Sequence, residues 1–434
     1  MRLVIIGLGA GGFAAAFSAR KIDKSCHITI IDPKPYDLFH PCGIPYALEG
    51  KTTPEKLTQQ LELDKMNMTK ITGSAHTIDP DNKKVLIDSE SEIAYDKLII
   101  ATGALPLVPP IPGIESAYTI TTIKSISKIL AQLTKNTSCV VIGGGAIGLE
   151  CAFALHKKAG PCTVLEREKA LMPRSLDHDM AELIEDYLST VGIRILCNEQ
   201  VTRVSQNVLT TSQGELTADL IICACGFTPN GKLADKAGLK MSGQAIKVNN
   251  CMQTSHPDIY AIGDCAETYS TLTKSPLWTA LATTAFRQGI IAASHALGNH
   301  IEYPGTLSTF VSKIGDMEVA AAGLTEQQAE AAQLQVVNSR LRGKIIPHWI
   351  ADQEPLTLKM LVDKQSTKLV GAQAVGRHGA LERINVLSCA MRAQLKVHDL
   401  LDLELGYCPP LSETYDLINR TAEIALKKCI IEKG

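Results

Sequence analysis

Cys42 lies in the run Phe39-His40-Pro41-Cys42-Gly43-Ile44-Pro45-Tyr46, between a proline and a glycine. A thiolate, not a thiol, attacks disulfide sulfur, and a helix beginning near Gly43 would favour the anion through its N-terminal dipole. Five residues further on stands Ala47, so no internal disulfide can close across this loop. Any redox partner of Cys42 must therefore be a small molecule or an oxygen atom. The run comes shortly after a glycine-rich turn and an acidic strand end, which places the sulfur where it could face a redox cofactor.

The elements that would position it begin at the first residues. Leu3 to Ile6, the turn Gly7-Leu8-Gly9-Ala10-Gly11-Gly12 and an alanine-rich run to Arg20 give strand, turn and helix in the order of a dinucleotide fold. Gly7 permits the tight turn, Gly9 lets backbone approach a pyrophosphate, and Gly12 brings helix close to strand. A second strand, His27 to Ile31, ends in Asp32, where an acid would bind a ribose hydroxyl. Residues Cys139 to Ile142 start the same arrangement again, with Gly143, Gly145 and Gly148 in the turn and Glu166 after the strand Cys162 to Leu165. Two such units imply two dinucleotides. Glu166 can accept from a ribose hydroxyl and would repel a 2′-phosphate, which favours NADH, although the neighbouring Arg167 leaves NADPH possible.

Between the units, Tyr95 to Ile100 is an apolar strand ending in Ala101-Thr102-Gly103, and Pro106 to Gly113 is a proline-rich crossing. A matching return is expected in a strand Leu220 to Cys225. Cys223 and Cys225 would then share one strand face and are read as buried apolar packing. The strand before Gly263-Asp264 would set Asp264 over a cofactor, to hold a polyol hydroxyl. Trp278 to Leu297 reads as a long helix of small side chains able to pack beneath a flat ring. From Gly305 the pattern changes to strands with helices at Thr325 to Ala332, Leu381 to Ala393 and Thr414 to Lys428, an α+β texture without a catalytic constellation of its own.

A formal charge of −2 over 434 residues gives no electrostatic reason for nucleic acid or an anionic membrane as partner. No apolar run has the length of a membrane-spanning helix, and Met1 leads directly into a buried strand. A cytoplasmic protein is expected. Its thirteen cysteines, an odd number scattered through apolar segments, fit reduced thiols.

Taken together, the Gly7 turn, Cys42-Gly-Ile-Pro-Tyr46, Ala101-Thr-Gly103, the Gly143 turn closed by Glu150, Ile259-Tyr-Ala-Ile-Gly-Asp264 and Tyr407-Cys-Pro-Pro410 resemble the FAD-dependent pyridine nucleotide-disulfide oxidoreductases. The resemblance covers nearly the whole chain. It is to the single-cysteine branch of coenzyme A disulfide reductases, NADH oxidases and NADH peroxidases. It implies an α/β protein with two Rossmann-like dinucleotide-binding domains, for FAD (1–112 and 244–304) and NAD (113–243), and a C-terminal α+β dimerisation domain (305–434). Gly7, Gly9, Gly12, Asp32, Thr102, Gly103, Gly263 and Asp264 would then hold FAD. Gly143, Gly145, Gly148 and Glu166 would hold the nicotinamide nucleotide, with Glu150 near nicotinamide and flavin.

By the same resemblance Cys42 and Tyr407 are the catalytic residues, Tyr407 entering the other subunit of a homodimer. Arg20, Lys21 and Lys70 match positions that bind the phosphates of coenzyme A. Three departures are visible. Ala10 stands where oxidases and peroxidases carry a histidine, His348-Trp349-Ile350 where coenzyme A disulfide reductases are tyrosine-rich, and Pro409 to Glu413 lacks the histidine of the dithiol enzymes. The implied activity is NAD(P)H-dependent reduction of a small disulfide or persulfide, without a metal. The alternatives are an oxidase or peroxidase and a flavoprotein redox sensor without turnover.

Overall fold

The computed structural model describes residues 1–88, 91–351 and 354–431. They divide into two compact units. The first comprises residues 1–43, 53–107 and 227–306, the second residues 44–52, 108–226 and 307–434.

In the first unit the strand Arg2–Ile6 lies at the centre of a five-stranded parallel sheet, in the order Ile259–Ala261, Lys97–Ile100, Arg2–Ile6, His27–Asp32 and Met68–Thr72. Alternate side chains of a strand point to opposite faces, and both faces here are covered. Leu3 and Ile5 join Ile28, Ile30 and Ile99 under the helices, while Val4 and Ile6 join Ile31, Leu98 and Ile100 on the other side. The helices Ala10–Ile22 and Ala282–Ala296 cross closely because small residues meet there. A Cβ on Gly289 would lie 2.4 Å from the Gly11 carbonyl oxygen and 2.9 Å from the Ala14 Cβ.

The second unit holds another five-stranded parallel sheet, in the order Tyr118–Thr119, Leu220–Cys223, Cys139–Ile142, Cys162–Leu165 and Arg194–Leu196. It also holds an antiparallel five-stranded sheet, in the order Phe310–Ile314, Met317–Gly323, Leu369–Gly376, Leu356–Asp363 and Val336–Gly343. The helices Ala380–Arg392 and Leu417–Ile431 pack against the antiparallel sheet. The expected α/β architecture, with two dinucleotide-type sheets and a C-terminal α+β part, is what the chain forms.

Several element limits differ from expectation by a few residues, and at three of them the physical cause is visible. The helix expected from Trp278 starts at Ala282, because Pro276–Leu277 pairs with Thr268–Tyr269 and the Trp278 indole donates to the Asp264 carbonyl at 2.8 Å. The last helix starts at Leu417, not Thr414. Asp416 accepts from the Ile418 N–H at 2.9 Å and pairs with the Arg383 guanidinium, which fixes the entry. The strand expected to reach Cys225 ends at Cys223, since Ala224 already turns to donate to the Ile142 carbonyl at 2.8 Å.

Within the second unit a buried cation ties the antiparallel sheet to the start of the helix His178–Thr190. The Lys359 ammonium, 3% exposed, lies 3.0 Å from Asp177, 2.7 Å from Asp179 and 3.1 Å from Glu326. Asp177 also accepts from the Gln373 amide at 2.7 Å. Removing one member of a buried ion pair leaves an uncompensated charge. Lys359→Ala is therefore expected to lower the unfolding free energy by about 3 kcal/mol or more, measured by urea denaturation. A loss below about 1 kcal/mol, the range of solvent-exposed pairs, would contradict this burial.

Candidate functional site

The two glycine turns repeat each other atom by atom. At the first, the Gly7 N–H donates to the Ile31 carbonyl at 2.8 Å and the Leu8 N–H to Asp32 Oδ2 at 2.7 Å. At the second, the Gly143 N–H donates to the Leu165 carbonyl at 2.8 Å and the Gly144 N–H to Glu166 Oε2 at 2.7 Å. Gly7 and Gly143 have φ of 100° and 113°, in the region that favours glycine. A Cβ on either would also strike the next strand end, 2.2 Å from the Ala101 oxygen or 2.4 Å from the Ala224 oxygen. Gly12 and Gly148 are equally obligatory, since a Cβ there would lie 2.0 or 2.1 Å from the carbonyl oxygen of Gly7 or Gly143.

Gly9 and Gly145 differ from these. A Cβ at either would meet nothing within 4 Å, so protein packing does not require glycine there. Open space beside N–H groups at a helix start is what an approaching anionic group needs. Gly7, Gly9, Asp32, Thr102 and Gly103 line one cavity of about 540 Å³ in the first unit. Thr102 and Gly103 are fixed by Asn230: the Thr102 hydroxyl donates to its carbonyl at 2.7 Å, and its N–H donates to the Gly103 carbonyl at 2.9 Å.

The two acids are spent to different extents. Asp32 accepts from the Leu8 N–H and from both the ammonium (2.5 Å) and the N–H (2.9 Å) of Lys34. Of about four lone-pair positions on a carboxylate, it retains one. Among the described residues Glu166 accepts only from the N–H groups of Gly144 and Glu168, leaving more capacity for hydroxyls. Arg167 is turned to Glu168 at 2.9 Å, with its side chain 72% exposed.

Asp264 follows the strand Ile259–Ala261 in the first unit, at the carboxyl end of the sheet where α/β folds bind ligands. Burial pushes its carboxyl up to about 6, and no hydrogen bond from the described residues reaches it. Such a carboxylate suits a ligand hydroxyl that would supply the missing donor. Its backbone is held by Trp278 and by Gln288, a fully buried side chain whose Oε1 accepts from the Gly263 N–H at 2.7 Å and whose Nε2 has no partner among the described residues. Sequence reading missed Gln288 and Asn230. A glutamine within a run of small apolar helix residues was the available signal for the first; Asn230 had none.

Cys42 is exposed in the single turn Pro41–Gly43, which runs directly into the short helix Ile44–Glu49. The helix start expected near Gly43 is present. In the second unit the Glu150 carboxyl accepts from the Ser312 hydroxyl at 2.5 Å. Burial raises it, and the Ser312 hydrogen bond opposes that rise. Ser312 is a contribution of the antiparallel sheet that sequence reading did not find. Tyr407, half exposed, sits in a loop pinned by the Ser412 hydroxyl, which donates to the Gly406 carbonyl at 2.8 Å.

The three basic residues do not behave alike. The Arg20 guanidinium donates to the carbonyls of Met66, Asp23, Lys24 and Asn67. Lys70 donates to the Lys34 and Tyr36 carbonyls and to Asp37 at 2.9, 2.8 and 3.0 Å, using all three of its N–H groups. A phosphate at either would have to displace these bonds. Lys21 is exposed, with no side-chain partner among the described residues.

Residues 1–289 match the family described as pyridine nucleotide-disulphide oxidoreductase, and residues 310–417 match its dimerisation domain. The chain is 33% identical over 449 residues to a protein of Methanocaldococcus jannaschii named NADH oxidase, covering 99% of each. It is 32% identical over 430 residues to a protein of Pyrococcus abyssi named NAD(P)H sulfur oxidoreductase (CoA-dependent), covering 95% of this chain and 96% of that one. The solved structure of an NAD-dependent persulfide reductase from A. fulgidus has a TM-score of 0.92 at 34% identity, covering 99% of this chain and 83% of that one.

The position of Asp264 has a measurable consequence. A carboxyl raised in the folded state binds more protons there than in the unfolded chain, so its contribution to stability falls as pH rises from about 4 to about 6. Asp264→Asn is expected to flatten that part of the ligand-free protein's stability profile and to stabilise it at pH 7 by about 3 kcal/mol. Thermal denaturation between pH 4 and 7 tests this, and an unchanged slope would contradict it.

Proposed function

Because the chain belongs to the pyridine nucleotide-disulphide oxidoreductase family, whose cofactors are FAD and NAD(P)H, we propose that it reduces a low-molecular-weight disulfide or persulfide through Cys42. The observation that carries this reading is an exposed cysteine on a turn that leads into a helix, with Ala47 where an internal disulfide partner would stand. The relative named for CoA-dependent sulfur reduction and the persulfide reductase support it. Coenzyme A is a candidate carrier, with Lys21 the member of the basic trio whose charge is available to its phosphates.

In this reading Gly7, Gly9, Gly12, Asp32, Thr102, Gly103, Gly263 and Asp264 hold FAD in a domain of residues 1–112 and 244–304. Gly143, Gly145, Gly148 and Glu166 hold NADH in a domain of residues 113–243. When bound, FAD supplies two-electron transfer between a nicotinamide hydride and sulfur. The chain's own groups do the rest. The Cys42 thiolate attacks one substrate sulfur and releases the other as a thiolate, in ordinary thiol exchange. Tyr407, contributed by the partner of a homodimer built on residues 305–434, gives that thiolate a proton. Glu150, kept in place by Ser312, would lie near the nicotinamide when the nucleotide is bound. An oxidase reading is supported by the relatives named NADH oxidase. Ala10, in place of the histidine expected of oxidases, weighs against it.

Cys42→Ser is expected to leave the rate of flavin reduction by NADH within about twofold of wild type, since hydride delivery needs no sulfur. Turnover of disulfides and persulfides should fall by roughly a thousandfold or more, while slow peroxide formation from oxygen persists. Rapid wild-type reduction of oxygen to water, with no turnover of any disulfide or persulfide, would establish the oxidase instead.

Glu166 sets a second expectation. NADH should reduce the flavin with at least about tenfold higher catalytic efficiency than NADPH, the equivalent of about 1.4 kcal/mol, in stopped-flow traces of the same preparation. A preference for NADPH would assign nucleotide choice to Arg167.

A further inference from the structure

Directly behind the second glycine turn the chain reads Cys223-Ala224-Cys225. In a straight strand, residues two apart are separated by about 6.7 Å. Here the strand ends at Cys223, the backbone bends, and the two sulfurs lie 3.7 Å apart. Cys223 is buried and Cys225 half-buried, with its sulfur also 3.6 Å from the Ile142 carbonyl. Ala224, between them, is the residue on which the Gly143 turn rests. Its carbonyl oxygen and carbon lie 2.4 and 2.8 Å from where a Gly143 Cβ would be, and the Cys225 nitrogen lies 3.2 Å from that point.

We infer that Cys223 and Cys225 form a thiol-modification site, a reversible dithiol and disulfide pair whose closure shifts the support of the Gly143 turn and weakens nicotinamide nucleotide binding. The inference rests on the reading of that turn as the NADH site. A disulfide bond is about 2.05 Å long, so the sulfurs must approach by about 1.6 Å. With one residue between them, part of that movement passes to the Ala224 backbone, and from there to a turn packed too tightly to accept it unchanged.

The oxidant is a low-molecular-weight disulfide, R–S–S–R, the class proposed above as substrate. Hydrogen bonding to Cys225 lowers the Cys223 thiol against the opposing effect of burial, and the same pairing raises Cys225. The pairing thus favours ionisation of Cys223 over that of Cys225. The thiolate attacks R–S–S–R, breaking its S–S bond and releasing RS⁻. The remaining thiol passes its proton to that anion, giving RSH, and as a thiolate displaces the second RS⁻. The pair loses two electrons to form the protein disulfide, and R–S–S–R gains them as one RSH and one RS⁻. A dithiol reductant reverses the exchange.

The test uses holoenzyme treated with bis(2-hydroxyethyl) disulfide, followed by tryptic mass mapping and by titration with NADH. Trypsin releases both cysteines within residues 204–232, which contain no other cysteine. That peptide is expected to lose two hydrogens. The NADH dissociation constant should rise about tenfold and return on reduction with dithiothreitol. Cys225→Ala, which keeps Cys42, should show the same NADH affinity before and after treatment.

Recovery of residues 204–232 with both thiols intact would overturn the inference on wild-type protein alone, whether or not the variant folds. So would a 223–225 disulfide that leaves NADH binding unchanged. Failure of the reduced holoenzyme to bind NADH at all would remove the reading of the Gly143 turn, and the inference with it.

Discussion

A backbone carbonyl pressed against a residue that has no side chain is the contact on which this structure depends. It occurs at Ala101 against Gly7 and at Ala224 against Gly143. In each case the second residue of the turn gives its N–H to the acid at the end of the neighbouring strand. Three strand ends and one helix start are thereby held within a few ångströms of one another. Hydrogen bonds to an ionised acceptor are stronger than neutral ones, so the turn is stiff before any ligand arrives. A site organised in this way loses less freedom on binding.

The same construction carries differently paired acids at its two occurrences. At the first turn Lys34 neutralises Asp32 and occupies most of its acceptor capacity. At the second, Glu166 meets no cation among the described residues, since Arg167 is engaged with Glu168, and two of its acceptor positions stay open. A neutralised acid tolerates nearby phosphates, whereas a charged one discriminates against them. In the function proposed above, duplicate backbones whose acids are differently paired would sort two related nucleotides within one chain.

Much of this was legible in the sequence because short-range rules govern it. Glycine spacing, strand hydrophobicity and the acid after each second strand fixed the two parallel sheets, and the change of texture after Gly305 announced the antiparallel one. What was not legible depends on residues far apart in the chain. Ser312 reaches Glu150 from another sheet, Gln288 reaches Gly263 from a helix, and Lys359 finds Asp177 across the second unit. Local periodicity carries no information on such pairs. Arg20 and Lys70 show the same limit from another side: the sequence gives no sign of the carbonyls that take up their donors in the fold. The early start assigned to the helix at Trp278 has the same origin, since the indole bond to the Asp264 carbonyl outweighs the helical pattern of its segment.

The order in which strands enter the first sheet bears on how the protein is made. Its edge strand, Ile259–Ala261, and the helix that packs on Ala10–Ile22 are separated from the opening strand by more than half of the chain. A ribosome must therefore synthesise the whole intervening sheet of the second unit before the first can close. Until then the apolar surface of Leu3, Ile5, Ala15 and Ala19 lacks its cover from Ile291 and Ala292. Long-range pairing of this kind slows folding and prolongs exposure of sticky surface. Nascent chains of this protein thus carry an uncovered apolar face through most of their synthesis.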